Sequence, residues 1–160
     1  MDDLLAGNAR HAETFAGGDL SSRPARHLVV LTCMDTRLDP LAMLGLRVGD
    51  AHVLRNAGGR VTDDVLRSLV VSVEVLGTTA VAVIQHTDCG MTKTTDEGLR
   101  ELVRERRGVD PGNVRFLATA DQAEAIRADV ASLKASPLLP PDLDVRGFLY
   151  DVKTGQLKTI

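Results

Sequence analysis

The sequence predicts an α/β fold with a mostly parallel central β-sheet, of about four parallel strands plus a short C-terminal strand, flanked by helices. Short apolar runs rich in β-branched residues alternate along the chain with longer amphipathic segments. This alternation is typical of parallel strands joined by right-handed helical crossovers. A chain of 160 residues with 44% hydrophobic composition is long enough to bury one core. We therefore expect a single domain over residues 1–160.

The predicted elements follow one another in a simple order. Strands are expected at about residues 27–32, 51–54, 80–85, 145–152 and 156–160. Helices are expected at about residues 2–16, 39–46, 62–76, 94–107 and 121–135. Thr94, with Glu97 three residues later, has the pattern of a capping box for the fourth helix. Residues 1–18 form a predicted helical arm, which either lies on a neighbouring subunit or docks loosely on its own chain.

Composition argues against several kinds of partner. The net charge is −3 with both signs spread along the chain, and the single Tyr, three Phe and absent Trp offer no platform for stacking bases, so nucleic acid is not expected. Arg67, Glu74 and Gly77 interrupt the most apolar region, residues 65–84, so no membrane span is expected. The acidic N-terminus does not resemble a signal peptide, and only two cysteines are present, which favours a cytoplasmic protein.

Two of the predicted strands end in side chains that bind metals. The first strand is followed by residues 33–37, C-M-D-T-R, and the third by residues 86–90, H-T-D-C-G. The carboxyl ends of neighbouring parallel strands meet at one edge of a sheet. Two thiolates and one imidazole suit Zn²⁺, and three protein ligands leave a fourth position open, as catalytic zinc sites do. We predict that Cys33, His86 and Cys89 bind one zinc ion per chain.

The first motif also supplies a carboxylate and a guanidinium. Asp35 is predicted either to accept a hydrogen bond from water at the fourth zinc position or to occupy that position itself. Arg37 is close enough to keep this carboxylate ionised and oriented. We therefore predict that Asp35 and Arg37 are catalytic and serve a hydroxide nucleophile on zinc, with a merely structural ion pair as the alternative. Asp88 is expected to face away from the site or to cap the next turn.

Three glycines lie close to these motifs. Gly58 and Gly59 follow the second strand, and Gly90 follows Cys89. Adjacent glycines at a strand end indicate a positive φ angle or a close approach of two backbone segments, although a plain loop has the same composition. We predict that these glycines form backbone of the substrate pocket beside the metal.

The three motifs together resemble those of the β-class carbonic anhydrases, in particular the compact, short-chain branch. C-M-D-T-R at 33–37, R-N-A-G-G at 55–59 and H-T-D-C-G at 86–90 occur in this order and at this spacing. The resemblance implies zinc held by the cysteines and the histidine, with an aspartate–arginine dyad beside it. It implies reversible hydration of CO2 to bicarbonate and a proton through a zinc-bound hydroxide. It also implies a homodimer or a higher homo-oligomer.

Two other functions share these residues. One is a hydrolase for COS or CS2, which are linear triatomic molecules like CO2. The other is a non-catalytic zinc module that mediates assembly, for which a closed metal site is expected. Some family members also bind bicarbonate at a noncatalytic site built from Trp, Arg and Tyr. Arg55 matches that arginine, but Val30 stands where the tryptophan would be, so this regulatory site is not expected.

Overall fold

The computed structural model describes the backbone of residues 1–160 and the side chains of all residues except Asp2. Its strands are β1 (Leu28–Cys33), β2 (Ala51–Asn56), β3 (Ala80–His86), β4 (Asp144–Tyr150) and β5 (Leu157–Thr159). They form one sheet in the order β2-β1-β3-β4-β5. The first four strands are parallel, and β5 runs antiparallel to β4. The predicted fold class is confirmed.

Helices connect and flank these strands. They are α1 (Asp2–Glu13), α2 (Pro40–Met43), α3 (Asp63–Glu74), α4 (Asp96–Arg107) and α5 (Gln122–Lys134). The helix after β1 is shorter than predicted, because Gly45 turns the chain with a φ of 64° soon after Met43. In the described part of the chain, no helix is both long and apolar enough to cross a membrane.

The predicted capping box of α4 is wrong by one residue. Thr95, not Thr94, has the extended backbone of a cap, and its hydroxyl accepts a hydrogen bond from the N–H of Gly98. Glu97 therefore lies one position too early to complete the box. Its carboxylate accepts hydrogen bonds from Arg100 and Arg104 instead. Two adjacent threonines offer the same capping chemistry, and the direction of the incoming chain selects between them.

The main core lies between one face of the sheet and helices α3 and α5. Its fully buried side chains include Val29, Leu31, Leu69, Val81 and Val83. Burying an aliphatic side chain of this size stabilises the fold by about 1.5–3 kcal/mol. These residues come mainly from β1 and β3, so the two strands that end in Cys33 and His86 are anchored in the core.

The register of β1 and β3 determines which residues share the edge of the sheet. Thr32 is paired with Ile84, and the Thr32 hydroxyl donates a 2.9 Å hydrogen bond to the Ile84 carbonyl oxygen. Cys33 and His86, the last residues of the two strands, therefore emerge at the same carboxyl edge.

Candidate metal centre

The three predicted ligands converge at this edge. The ligand atoms of Cys33, His86 and Cys89 all lie within 4.8 Å of one another, and the two Sγ atoms are 4.0 Å apart. All three side chains are buried. Cys89 lies three residues after the end of β3, directly before a short 3-10 turn, Gly90–Thr92.

The ring of His86 is oriented as a metal ligand. Its Nδ1 lies 2.8 Å from the carbonyl oxygen of Thr87. A carbonyl oxygen only accepts, so Nδ1 carries the proton and donates, and the lone pair of a neutral ring is left on Nε2. Nε2 is buried and has no hydrogen-bond partner among the described residues. Buried polar atoms are almost always paired. Coordination of zinc by Nε2 together with the two cysteine sulfurs would give this unpaired nitrogen a partner.

The surroundings of the two thiols favour different charge states in the protein alone. Burial by itself raises the pKa of Cys33, but the neighbouring His86 ring and the backbone N–H groups of Asp35 and Gly58 lower it to about 7. Burial raises the pKa of the Cys89 thiol. A bound divalent metal favours the thiolate form of both, because thiolate is the form that coordinates.

Asp35 lies beside the three candidate ligands, and Arg37 binds its carboxylate through hydrogen bonds. One carboxylate oxygen of Asp35 is 3.7 Å from Nε2 of His86. Arg37 donates from Nε to Oδ1 at 2.9 Å and from Nη2 to Oδ2 at 2.8 Å, and its backbone N–H also donates to Oδ1. These bonds to Arg37 hold the pKa of the Asp35 carboxyl well below its usual range. Asp35 is thus an ionised acceptor with a fixed direction.

The expectation for Asp88 is wrong. Its side chain does not face away, and it does not cap the turn that follows. It accepts a 2.9 Å hydrogen bond from Nη1 of Arg37 and pairs with Lys93. The backbone of Asp88 is left-handed, with a φ of 56°, which turns the carboxylate back towards the loop after β1. This contact could not be predicted from sequence spacing, because 51 residues separate Asp88 from Arg37 and only the pairing of β1 with β3 brings them together.

Two further residues that the sequence did not single out for the site hold its backbone. Arg55 on β2 donates to the carbonyl oxygens of Cys33 and Asp35. Gln122, the first residue of α5, donates a 2.6 Å hydrogen bond to the carbonyl oxygen of His86. Arg55 is therefore occupied in bracing the loop after β1.

The three glycines occupy different places. Gly58 and Gly59 have φ angles of 82° and 64°, which favour glycine. A Cβ on Gly59 would lie 2.9–3.0 Å from the backbone of Thr32 and Cys33, so Gly59 packs directly behind the first ligand. Gly58 and Gly90 line the depression in front of the ligands, and a Cβ on Gly90 would point into open space.

An open depression of about 560 Å³ gives access to the metal ligands. Apolar wall is contributed by Met34, Ala57 and Met91, and charged groups by Asp35, Arg37, Asp88 and Lys93. The arrangement combines three side chains that could hold a metal ion, an ionised acceptor beside them and free entry for a small molecule. These are the elements of metal-assisted attack by water.

Comparison with known proteins points in the same direction. A family model described as "Carbonic anhydrase" matches residues 28–157. Beta-carbonic anhydrase 1 of Mycobacterium tuberculosis is 39% identical over 159 residues, covering 99% of this chain and 96% of that protein. A carbon disulfide hydrolase of Acidianus sp. is 33% identical, covering 83% of this chain and 76% of that protein.

The fold agrees with a solved structure of the same class. The crystal structure of carbonic anhydrase from Streptococcus mutans superimposes with a TM-score of 0.95 at 43% sequence identity, covering 99% of this chain and 96% of that one. The motifs, the convergence of the two cysteines and the histidine, and a family match over most of the length all agree. The chain therefore belongs to the β-carbonic anhydrase family.

Proposed function

We propose that this chain is a zinc-dependent carbonic anhydrase that catalyses the reversible hydration of CO2 to bicarbonate and a proton. The observation that carries the proposal is Nε2 of His86, which is buried, has no hydrogen-bond partner among the described residues, and lies beside two thiols and the ionised Asp35. Cys33, His86 and Cys89 would hold one zinc ion per chain. When bound, zinc supplies a Lewis acid that makes water nucleophilic near neutral pH.

Asp35 is proposed to orient the attacking water. Its carboxylate is held ionised and can accept a hydrogen bond from that water, directing a lone pair towards the carbon of CO2. Arg37 donates to both carboxylate oxygens, so Asp35 keeps one orientation during turnover. Gly58 and Gly90 are proposed to line the pocket without side chains that would block entry.

The walls of the depression suit an apolar triatomic substrate. Met34, Ala57 and Met91 offer aliphatic surface next to the ligands, against which CO2 can lie without losing hydrogen bonds to water. Asp35, Arg37, Asp88 and Lys93 also line the depression, so polar groups are present for the bicarbonate anion. The open access also favours catalysis over a closed, purely structural zinc site.

A CS2 or COS hydrolase is the second candidate. Relatives described as carbon disulfide hydrolases are 31–35% identical to this chain, so the same fold and family include that activity. CS2 and COS have the same linear shape as CO2, and the motif residues do not separate the reactions. The greater identity to β-carbonic anhydrases over nearly the whole chain favours CO2.

The deciding experiment measures CO2 hydration by stopped flow, at neutral and moderately alkaline pH, with zinc content determined on the same sample. We expect rapid turnover with about one zinc per chain. Release of hydrogen sulfide from CS2 is measured in parallel. A fully zinc-loaded protein that releases sulfide but does not hydrate CO2 would reassign the enzyme to the hydrolases, and one inactive towards both would leave the assembly role.

We also propose that the chain forms a homodimer or a higher homo-oligomer. Strand β2 is an outer strand of the sheet, and its Val53 is exposed beside Val71 of α3. The helical arm, residues 1–18, exposes Leu4, Leu5 and Phe15, which would be covered by a second subunit. Light scattering on the eluting protein tests this, and deletion of residues 1–18 should weaken the oligomer. A full-length monomer at micromolar concentration would contradict it.

The remaining proposals concern the chain as a unit and its location. We propose that residues 1–160 fold as a single domain, which a single cooperative urea transition would support. A cytoplasmic location is supported by the two free thiols, because zinc coordination needs both cysteines reduced. Cell fractionation with an antibody to the native protein tests the location.

A further inference from the structure

The guanidinium of Arg37 is held on two sides. On one side, Nε and Nη2 donate to the carboxylate of Asp35. On the other side, Nη1 donates to Oδ2 of Asp88 at 2.9 Å, and Nη2 donates to the Asp88 carbonyl oxygen at 3.1 Å. Asp35 belongs to the loop after β1, and Asp88 to the loop after β3. Arg37 therefore joins the loops that follow the two strands ending in Cys33 and His86.

A single contact would not hold this side chain firmly. The Arg37 side chain is 44% exposed, and an isolated ion pair at such a site gains little, since water competes and the long side chain loses rotamer entropy. A planar guanidinium bound along two edges has one orientation that satisfies both partners. The contact with Asp88 therefore fixes the orientation of the guanidinium plane in which Arg37 binds Asp35.

Lys93 completes the group. Its ammonium pairs with Oδ1 of Asp88, so that Oδ2 is left for Arg37. Two carboxylates, Asp35 and Asp88, are balanced by two cations, Arg37 and Lys93. Because Lys93 neutralises Asp88, Asp88 can bind Arg37 without drawing it away from Asp35.

We infer that Asp88, paired with Lys93, is a positioning residue that fixes Arg37, and through Arg37 directs the Asp35 carboxylate at the metal ligands. The inference rests on the proposed function in one respect, which is that turnover depends on the direction of Asp35. The placement of Arg37 by Asp88 stands independently of the substrate.

The left-handed backbone of Asp88 allows a clean pair of variants. Asn and Gly both tolerate a φ of 56°, whereas Ala would add backbone strain. Asp88→Asn keeps a side-chain oxygen that accepts from Nη1 of Arg37, and Asp88→Gly removes it. Arg127→Gln, which breaks an exposed pair with Glu124 on α5 and touches none of Asp35, Arg37, Asp88 and Lys93, is the control for loss of a surface ion pair.

Both Asp88 variants are prepared with zinc, and kcat, KM and zinc content are measured for CO2 hydration. We expect Asp88→Gly to lower kcat about tenfold with little change in KM and with zinc retained. Asp88→Asn should recover most of that loss. Lys93→Gln should lower kcat less, about threefold, because Arg37 keeps its contact with Asp88. Arg127→Gln should match the unmodified protein.

A second readout does not depend on activity. The side-chain Nε–H signal of Arg37 in a nitrogen-15 NMR spectrum, assigned with an Arg37→Lys variant, should be sharp and protected from exchange in the zinc-loaded protein. It should broaden in Asp88→Gly and remain in Asp88→Asn. An unchanged signal in Asp88→Gly would overturn the positioning role, as would an unchanged kcat or a loss of zinc in that variant.

The two proposals fail in different ways. If the unmodified protein binds zinc but does not hydrate CO2, the proposed function fails, and the Nε–H signal still decides whether Asp88 positions Arg37. If the unmodified protein is active and Asp88→Gly keeps both its turnover and its Arg37 signal, the proposed function stands and the role of Asp88 is wrong.

Discussion

Two arginine–aspartate pairs in this molecule have similar contacts but different surroundings. Arg60 donates from Nε and Nη2 to Asp129 on α5, and the side chains are only 12% and 7% exposed. Arg37 donates from the same two nitrogens to Asp35, with side chains 44% and 19% exposed. The first pair lies between the sheet and α5, and the second opens onto the depression.

The surroundings decide what each pair can do. The spare Nη1 of Arg60 donates to the carbonyl oxygen of Leu117, so the buried pair ties a loop and a helix to the end of β2. Asp35 keeps accessible surface and lies 3.7 Å from the His86 nitrogen. A desolvated pair of this kind supports the fold, whereas a partly solvated one remains available to a reacting molecule. Exposure, and not bidentate geometry, separates the buried pair from the pair proposed to act in catalysis.

Breaking the buried pair should have the largest effect. Asp129→Ala leaves the Arg60 guanidinium without its partner, which typically costs about 3–5 kcal/mol of unfolding free energy. Urea unfolding measures this loss, and turnover per folded molecule should stay near that of the unmodified protein. The matched control is Asp64→Ala, which breaks the exposed pair with Arg67 and should change stability by no more than about 0.5 kcal/mol. Equal losses in the two variants would contradict the comparison.

Changing the partly exposed pair should affect turnover instead. Asp35→Asn keeps the size of the side chain but removes the charge that we propose orients the attacking water. We expect CO2 hydration to fall about a hundredfold, equivalent to about 2.7 kcal/mol. Zinc content and melting temperature should change little, because Cys33, His86 and Cys89 are untouched. Full turnover with zinc bound would show that Asp35 is only structural.

Gly59, in the turn that leads from β2 to Arg60 of the buried pair, provides the third test. Gly59 precedes Arg60 and packs behind Cys33, and alanine there would combine a φ of 64° with contacts of 2.9–3.1 Å to backbone atoms of Thr32, Cys33 and Ile84. We expect Gly59→Ala to destabilise the fold by about 2 kcal/mol and to weaken zinc binding. Gly90→Ala, whose Cβ meets open space, is the control and should fold normally. Competition with a zinc-selective dye and urea unfolding measure the two effects.

The comparison also shows what could be predicted from sequence. The fold class and the convergence of Cys33, His86 and Cys89 follow from local patterns, because apolar runs mark the strands and the motifs stand at their ends. The contacts of Asp88 with Arg37 and of Arg60 with Asp129 join residues 51 and 69 positions apart. No periodicity or spacing encodes such pairs, which depend on which strands become neighbours and on the left-handed turn at Asp88.

The carboxylate of Asp96 is a third case to compare with those of Asp129 and Asp35, and changing it should have the smallest effect. Partial burial alone would raise its pKa, but hydrogen bonds from the backbone N–H groups of Ala118 and Phe116 lower it below the ordinary value of 3.8. A lowered folded-state pKa stabilises the protein above that value, and the contribution is lost as the pH falls through the folded-state pKa.

Asp96→Asn should therefore cost about 1 kcal/mol near neutral pH and progressively less as the solution is acidified below about pH 4, where the aspartate becomes protonated first in the unfolded and then in the folded protein. Urea unfolding of both proteins at several pH values measures the difference, and CO2 hydration near neutral pH should be unaffected. A difference that stays constant down to the most acidic condition would mean that the backbone donors do not favour the charged form.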